Sequence, residues 1–191
     1  GEEAFLGRGV SYCATCDGAF YQGGDIYIIG GGNAAVEEGD FLTNFADKVT
    51  LIHRRDELRA DKFAQERAFA NPKMDFIWDS EIVSIHGDNM AREMTIRNKK
   101  TGEETTFKQE EGRPFGVFFY IGFNPRTEIV KDQVELENGY IVTDDSMQTN
   151  LEGVYAAGDI RSKEIRQVVT ATADGAIAAL KAVDYVGHLD S

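Results

Sequence analysis

The sequence has few of the residues that mark secreted, membrane-spanning or nucleic-acid-binding proteins. Its 191 residues include only two cysteines, three prolines and one tryptophan. Two cysteines cannot build the disulfide framework of a small secreted domain, because that class spreads several pairs along its chain. We expect no signal peptide, and the longest apolar run, residues 117–121, is too short for a membrane-spanning helix.

Basic residues are also scarce, since 20 Lys and Arg face 33 Asp and Glu and the net charge is −13. Such a charge repels nucleic acids and anionic membrane surfaces, so we expect neither as a partner. The length allows one domain and part of a second. Because the chain begins with Gly1 rather than Met, we expect that something was removed or that this is a piece of a longer protein.

The hydrophobic pattern predicts an α/β fold. Residues 26–29 form a short apolar run between glycines, which is typical of a buried parallel strand. Residues 34–46 carry apolar side chains at helical spacing, and residues 49–52 form a second apolar run. A strand, a glycine turn, a helix and a strand within about 30 residues make a βαβ unit.

The pattern further downstream changes to shorter segments. A second helix is expected over residues 59–69, before Asn71 and Pro72. An antiparallel meander inserted in the α/β unit is predicted from four partly alternating segments, at residues 74–78, 81–85, 90–97 and 104–108.

A buried strand at residues 117–121 closes a first predicted domain of residues 1–122. The second, residues 123–191, begins acidic and rich in loops. Within it we expect strands at residues 140–142 and 154–157 and a long helix over residues 166–186.

The glycine turn after the first strand has the pattern Gly-x-Gly-x-x-Ala of a dinucleotide site. Gly30 permits the tight turn, Gly32 lets a pyrophosphate approach the backbone, and Ala35 lets the helix pack closely on the strand. The start of the following helix supplies N–H groups and a partial positive charge. Glycine-rich turns are common, so a plain structural turn remains the alternative.

Arginines follow the second strand, where an NAD site would carry an acidic residue. Residues 53–59 read His-Arg-Arg-Asp-Glu-Leu-Arg. Arginine grips a ribose 2′-phosphate through charged, forked hydrogen bonds, which favours NADP(H). The alternative is a solvated helix start whose arginines pair internally with Asp56, Glu57 and Asp61. His53 either contacts the phosphate or caps the strand.

The two cysteines form a Cys-x-x-Cys pair, Cys13 and Cys16. A bridge between them closes too short a loop to add much stability, but it suits repeated thiol–disulfide exchange. Two unpaired structural thiols are an alternative. A zinc site would need two more ligands, and the three histidines are scattered, so we expect no metal. Asp17 could exchange the thiol proton as a general acid/base, or could simply be a turn residue before Gly18.

A fourth motif, Gly-Val-Tyr-Ala-Ala-Gly-Asp at residues 153–159, is weak taken alone. Its small residues let a strand end lie close to a bound molecule, where the carboxylate of Asp159 can accept hydrogen bonds from sugar-like hydroxyls.

Together these motifs make the sequence resemble the bacterial-type, low-molecular-weight thioredoxin reductases. The resemblance covers nearly all of the chain and rests on residues 9–18, 30–38, 53–59, 136–141, 156–159 and 166–167. It implies a flavoprotein with two Rossmann-like domains, of which residues 1–122 are the NADPH-binding domain with its meander insertion. The family's FAD domain begins with its own glycine fingerprint, which this sequence lacks. Residues 123–191 are therefore expected to be the C-terminal portion of that domain.

The resemblance also implies roles for particular residues. The implied NADPH-binding residues are Gly30, Gly31, Gly32, Asn33, Ala34, Ala35, His53, Arg54, Arg55 and Arg59. The implied FAD-binding residues are Gly158, Asp159, Arg166 and Gln167. Electrons would pass from NADPH through FAD to the Cys13–Cys16 disulfide and on to thioredoxin, with Cys16 facing the flavin, Cys13 attacking the partner and Asp17 as the acid/base.

By the same resemblance the protein would be a cytoplasmic homodimer. Two alternatives stay open. One is a flavin-free NADP(H)-binding fragment without turnover, and the other is a relative that reduces a different dithiol protein, such as a peroxiredoxin partner.

Overall fold

A five-stranded sheet organises residues 10–120 in the computed structural model, which describes residues 1–189. The strands are β1 (Val10–Ser11), β2 (Asp25–Gly30), β3 (Lys48–Ile52), β4 (Met74–Ile77), β5 (Ser80–Gly87), β6 (Ala91–Asn98), β7 (Glu104–Lys108), β8 (Phe115–Tyr120), β9 (Leu136–Glu137) and β10 (Tyr140–Ile141). The helices are α1 (Ala14–Asp17), α2 (Asn33–Leu42), α3 (Lys62–Ala70) and α4 (Val168–Leu189), with short 3₁₀ helices at Glu3–Phe5 and Gly18–Tyr21. The chain divides into two units after Gly122.

The large sheet has the strand order β1-β8-β2-β3-β4, and all of its neighbouring strands are parallel. Alternate side chains of its strands face opposite sides, as the pleat requires. Ile28 and Leu51 pack on one side in a cluster with residues of α2 and α3. Tyr27 and Ile29 pack on the other side, in a cluster with Met94 of β6. The parallel strands are therefore covered on both faces, which explains their continuous apolar runs.

The predicted meander is present with one strand fewer than expected. β5, β6 and β7 form a separate antiparallel sheet, whereas Met74–Ile77 pairs in parallel with β3 at the edge of the large sheet. The prediction that residues 74–78 belong to the meander was wrong. An edge strand is partly solvated, so its alternation of buried Met74 and exposed Asp75 looks like that of an antiparallel strand.

Both predicted helices of the first unit are present but shorter. α2 ends at Leu42 instead of residue 46, and α3 begins at Lys62 rather than at Arg59. The Asp61 carboxylate accepts a hydrogen bond from the Ala64 N–H at 2.9 Å, which fixes the start of α3 by an ordinary N-cap. Arg59 therefore lies in the loop before the helix.

The second unit contains a hairpin, a small core and a long helix. β9 and β10 are joined by Asn138 and Gly139, whose φ angles of 51° and 86° suit a tight hairpin turn. The strand expected at residues 154–157 is absent from the described structure, where Tyr155 makes only an isolated bridge with Gln148. The segment pairs at this one residue only, and a single bridge is too short to form a strand.

α4 carries several exposed apolar side chains, among them Val168, Leu180 and Val183 at 83%, 69% and 70% exposure. No helix within residues 1–189 is both long and apolar enough to cross a membrane. Residues 190–191, the end of the second predicted domain, lie outside the described residues.

Candidate functional site

The three glycines after β2 have different surroundings. A Cβ on Gly30 would lie 2.5 Å from the Tyr120 carbonyl oxygen and 2.8 Å from the Cβ of Ala35. A Cβ on Gly31 would lie 2.3 Å from two ring atoms of His53, whereas nothing lies within 4 Å of a Cβ on Gly32. Gly30 and Gly31 are thus required by packing, and Gly32 leaves one face of the turn open.

This turn stands where ligands bind in open parallel sheets. β2 continues through α2 to β3 on one side, while its other neighbour, β8, comes from much later in the chain. The carboxyl ends of β2 and β8 therefore flank a topological switch point. α2 begins there at Asn33, and its N-cap, Gly32, provides no capping side chain, so the first N–H groups of the helix are available to an anion.

The segment of residues 54–61, which we term the arginine loop, is folded back onto the glycine turn. The Arg59 N–H donates to the Gly31 carbonyl at 2.7 Å, and the Asp61 N–H donates to the Asn33 side-chain oxygen at 2.8 Å. Leu58 and Ala60 anchor the loop in the core, each only 7% exposed. The two motifs that were predicted separately, after β2 and after β3, are thus brought together.

The arginine side chains of this loop point to solvent without partners. Arg54, Arg55 and Arg59 are exposed, and within residues 1–189 none of their guanidinium groups makes an ion pair or hydrogen bond. Of the acidic neighbours, Asp56 pairs with Lys100, Asp61 caps α3, and Glu57 makes no ion pair with these arginines within residues 1–189. The alternative of internal pairing with these carboxylates therefore has no support, and three free cations stand beside the open turn.

His53 supports the turn from below. It is 4% exposed, and its ring occupies the space that a side chain on Gly31 would need. Burial lowers the pKa of His53, and the nearby arginines Arg59, Arg55 and Arg54 lower it further, while a hydrogen bond to the Gly30 backbone opposes the shift. A neutral ring fits this position. Its Nε2 is buried and has no hydrogen-bond partner within the described residues, which favours packing over contact with a phosphate.

The Cys-x-x-Cys pair is closed as a disulfide. Cys13 and Cys16 are bonded at the short helix α1, which excludes two unpaired structural thiols in this state. The Cys16 N–H donates to Cys13 Sγ at 3.2 Å, so Cys13 also caps the helix. Cys16 is exposed and Cys13 is half-buried. Within residues 1–189, no three His, Cys, Asp or Glu side chains are grouped to hold a metal ion.

Two residues that sequence reasoning missed position this disulfide. Ser11, buried at the end of β1, donates its hydroxyl to Asp17 Oδ2 at 2.6 Å. The Tyr120 hydroxyl, at the end of β8, accepts the Ala14 N–H at 2.8 Å. Burial raises the pKa of Tyr120, so its hydroxyl stays protonated. Each is the last residue of its strand, and that position is the one signal that could have pointed to it.

Tyr120 also connects the two parts of this site. Its backbone pairs with Gly30 in the sheet register, and a side chain on Gly30 would collide with the Tyr120 carbonyl. The same residue therefore contacts the glycine turn through its backbone and the disulfide helix through its hydroxyl. The glycine turn, the arginine loop, the disulfide and Asp17 all lie within the first unit.

The predicted flavin residues lie in the second unit. The carboxylate of Asp159 is exposed and has no hydrogen bond or ion pair within residues 1–189. The Gly158 N–H donates to Asp174 Oδ2 at 3.0 Å. Arg166 lies over the Tyr140 ring at 3.9 Å and donates to the Asp159 carbonyl at 3.3 Å, while Gln167 immediately precedes α4. The turn at Gly158 and Asp159 is thus fixed through its backbone, and the Asp159 carboxylate remains available to a ligand.

A buried charged cluster, which the sequence did not reveal, holds this turn. Asp174 of α4 is 8% exposed and forms ion pairs with Arg161 at 3.0 Å and Lys163 at 2.8 Å. Burial raises the pKa of Asp174, but hydrogen bonds from Lys163, Arg161 and the Gly158 N–H outweigh it and lower the pKa to about 2. Asp174 therefore stays ionised and fixes Gly158.

Comparisons with known proteins agree with this geometry. Residues 1–175 match the family described as pyridine nucleotide-disulphide oxidoreductase. The chain is 54% identical over 188 residues to a thioredoxin reductase of Peptoclostridium acidaminophilum, covering 97% of this chain and 60% of that protein. It is 50% identical over 191 residues to a thioredoxin reductase of Bacillus subtilis (strain 168), covering 99% of this chain and 59% of that protein.

The crystal structure of thioredoxin reductase from Streptococcus pyogenes MGAS5005 is similar with a TM-score of 0.91 and 49% identity, covering 98% of this chain and 60% of that chain. The resemblance and the α/β fold class expected from the sequence are confirmed. The chain spans about three fifths of the length of these relatives.

Proposed function

Since the chain belongs to the pyridine nucleotide-disulphide oxidoreductase family, we propose that it supplies the NADPH site and the redox-active disulfide of a flavoprotein that reduces thioredoxin. One observation carries this proposal: three arginines that make no ion pair within residues 1–189 stand beside an open glycine turn, in the same unit as a Cys13–Cys16 disulfide. The relatives are thioredoxin reductases that are longer than this chain, so thioredoxin as the substrate is an inference from them.

The residues fit a dinucleotide with a 2′-phosphate. The open face at Gly32 and the uncapped N–H groups of α2 suit a pyrophosphate, because nothing in the described chain fills that space. Arg54, Arg55 and Arg59 suit the additional phosphate, which NAD lacks. A chain with a net charge of −13 that leaves three arginines unpaired at one loop favours an anionic ligand there.

The residues of the second unit fit a flavin nucleotide in part. The exposed Asp159 carboxylate can accept hydrogen bonds from ribityl hydroxyls. Gly158 directly precedes it in the chain, and Arg166 and Gln167 follow it before α4. When bound, NADPH and FAD supply the two electrons that the disulfide requires. The expectations that the protein is a homodimer and works in the cytoplasm remain predictions.

The chain's own chemistry is thiol–disulfide exchange. Reduction of the Cys13–Cys16 disulfide takes up two electrons and two protons and gives two thiols. As the general acid/base, Asp17 takes a proton from a cysteine sulfur and returns it, and the Ser11 hydroxyl fixes the orientation of the carboxylate.

Delivery to the partner then proceeds in two exchanges. The Cys13 thiolate attacks the partner's disulfide and releases one partner thiolate, which leaves a mixed disulfide. The Cys16 thiolate next attacks Cys13 Sγ in that mixed disulfide, releases the second partner cysteine as a thiolate and restores the Cys13–Cys16 bond. The two protons from Cys13 and Cys16 end on the two partner sulfurs. The assignment of Cys13 to the attack and of Cys16 to the flavin side follows the family pattern.

The test uses the complete gene product and its absorbance spectrum. We expect flavin bands that bleach with NADPH at concentrations where NADH has little effect, followed by thioredoxin reduction. A Cys13→Ser variant should still bleach but should reduce no thioredoxin. Bleaching by both nucleotides equally would contradict the NADPH assignment, and a colourless protein that binds NADPH would leave only the nucleotide-binding module. Reduction of a peroxiredoxin partner but not thioredoxin would move the activity to that substrate.

A further inference from the structure

The turn between β6 and β7 reaches the arginine loop. Lys100, in this turn, places its Nζ 3.1 Å from Asp56 Oδ2 and 2.9 Å from Asp79 Oδ2. Lys100 and Asp56 are exposed, whereas the Asp79 carboxylate is mostly buried, with 19% of its side chain exposed. One ammonium group from the small sheet therefore holds a carboxylate of the arginine loop.

Backbone contacts support the same connection. The Lys99 N–H donates to the Asp79 carbonyl at 2.6 Å, and the Asp79 N–H donates to the Arg55 carbonyl at 3.1 Å. Asp79 has a φ of 51°, a conformation that few residues other than glycine, asparagine and aspartate adopt readily. The turn between β6 and β7 is thus hydrogen-bonded to Asp79. Asp79 is in turn hydrogen-bonded to the backbone carbonyl of Arg55, which directly precedes Asp56.

Asp56 is the acidic group that follows Arg54 and Arg55 directly in the chain. A carboxylate released from Lys100 at this position can pair with a neighbouring guanidinium and compete with a phosphate for it. Asp56 is instead held by Lys100 and forms no ion pair with the three arginines of the loop. We infer that Lys100 is a positioning residue, which keeps Asp56 away from the arginines and so leaves them open to a ribose 2′-phosphate. This inference rests on the NADPH site proposed above.

The same turn offers a matched control. Lys99 is exposed like Lys100, carries the same charge and makes no side-chain ion pair within residues 1–189. Lys99→Met removes one positive charge near the loop without releasing Asp56. Lys100→Met removes the same charge and does release it. Lys100→Met combined with Asp56→Asn removes both the ion pair and the carboxylate charge.

The experiment measures binding by calorimetry on the complete gene product, with 2′,5′-ADP and 5′-AMP as probes, so that no turnover is needed. We expect Lys100→Met to weaken 2′,5′-ADP about three- to fivefold, the upper range for an exposed ion pair, and to leave 5′-AMP unchanged. Lys99→Met should change neither affinity. Adding Asp56→Asn to Lys100→Met should restore the affinity, and the effect should shrink at high ionic strength.

The outcomes distinguish failure of the proposed 2′-phosphate site from failure of the positioning role of Lys100. If the wild-type protein binds both probes equally, the 2′-phosphate site itself is wrong. If it prefers 2′,5′-ADP but Lys100→Met has no effect, or weakens both probes alike, the positioning role is wrong. If Lys100→Met weakens 2′,5′-ADP and Asp56→Asn does not restore it, Lys100 contacts the phosphate directly, which also overturns the inference.

Discussion

Alanine substitutions at Gly31 and Gly32 should separate the stability of the glycine turn from its binding function. A Cβ on Gly31 would lie 2.3 Å from the His53 ring, roughly 1 Å or more inside an ordinary contact. His53 is 4% exposed, and its backbone is hydrogen-bonded to Ile77 and Ser80. Its ring therefore has little room to move. Overpacking of this kind costs about 1–3 kcal/mol, and the stiffer unfolded chain returns about 0.4–1 kcal/mol. We expect Gly31→Ala to lower the free energy of unfolding by about 1–2 kcal/mol net.

Gly32→Ala is the matched control, one residue away. No atom lies within 4 Å of its Cβ, and its φ of −93° and ψ of −177° are open to alanine. The stiffer unfolded chain adds about 0.4–1 kcal/mol, and the loss of glycine at the N-cap of α2 costs a similar amount, so the free energy of unfolding should stay within about 0.5 kcal/mol of the wild type. Its methyl group would stand on the open face proposed for the pyrophosphate, so NADPH binding should weaken although the fold is intact.

The assay is urea unfolding followed by far-UV circular dichroism, together with NADPH titration of each variant. Gly31→Ala combined with His53→Ala provides a further check, because the smaller side chain removes the collision and the two changes should be less than additive. The reasoning is refuted if Gly31→Ala is as stable as the wild type, if the two changes add fully, or if Gly32→Ala binds NADPH normally.

Two further predictions concern charge. Arg54→Gln combined with Arg55→Gln should weaken NADPH at least about tenfold more than NADH in equilibrium titrations, because only NADPH carries the 2′-phosphate, and equal losses would contradict this role. Asp174→Asn leaves Arg161 and Lys163 without their buried counter-charge and should cost about 3–5 kcal/mol in urea unfolding, whereas Asp184→Asn, at an exposed pair with Lys181, should cost about 0–1 kcal/mol. Because the folded pKa of Asp174 is lowered from 3.8 to about 2, its contribution is complete above about pH 4 and is lost as the pH falls towards 2, so the difference between Asp174→Asn and the wild type should shrink over that range.

Local patterns predicted the parts of the fold whose structure depends on local sequence. The apolar run of β2, the glycines that follow it and the helical spacing of α2 are neighbours in the chain, and each indicated its structure correctly. The assignment of β4 to the meander failed because the partner of a strand is a non-local property. An edge strand beside β3 and a strand of an antiparallel sheet present the same alternation.

The candidate site follows the same division. Glycines, arginines and the cysteine pair carry recognisable spacing, so they could be found from sequence. Ser11, Tyr120 and Lys100 act through contacts with Asp17, Ala14 and Asp56. Such contacts leave no periodic signal, because the fold alone brings their partners together. Asp174 was missed for this reason too, as one acidic residue in an alanine-rich helix.

The position of β8 between β1 and β2 sets an order for the folding of the first unit. β2, β3 and β4 can pair as soon as each is synthesised, since they adjoin in the sheet and are close in sequence. β1 lies at the edge beside β8, so it acquires its neighbour in the sheet only after residue 120 has been made. The Ala14 N–H likewise has no Tyr120 hydroxyl to bond until that residue, 106 positions further along the chain, has been made. The disulfide segment is therefore fixed late, and on a nascent chain that lacks β8 its two cysteines stand without the support that Tyr120 later gives them.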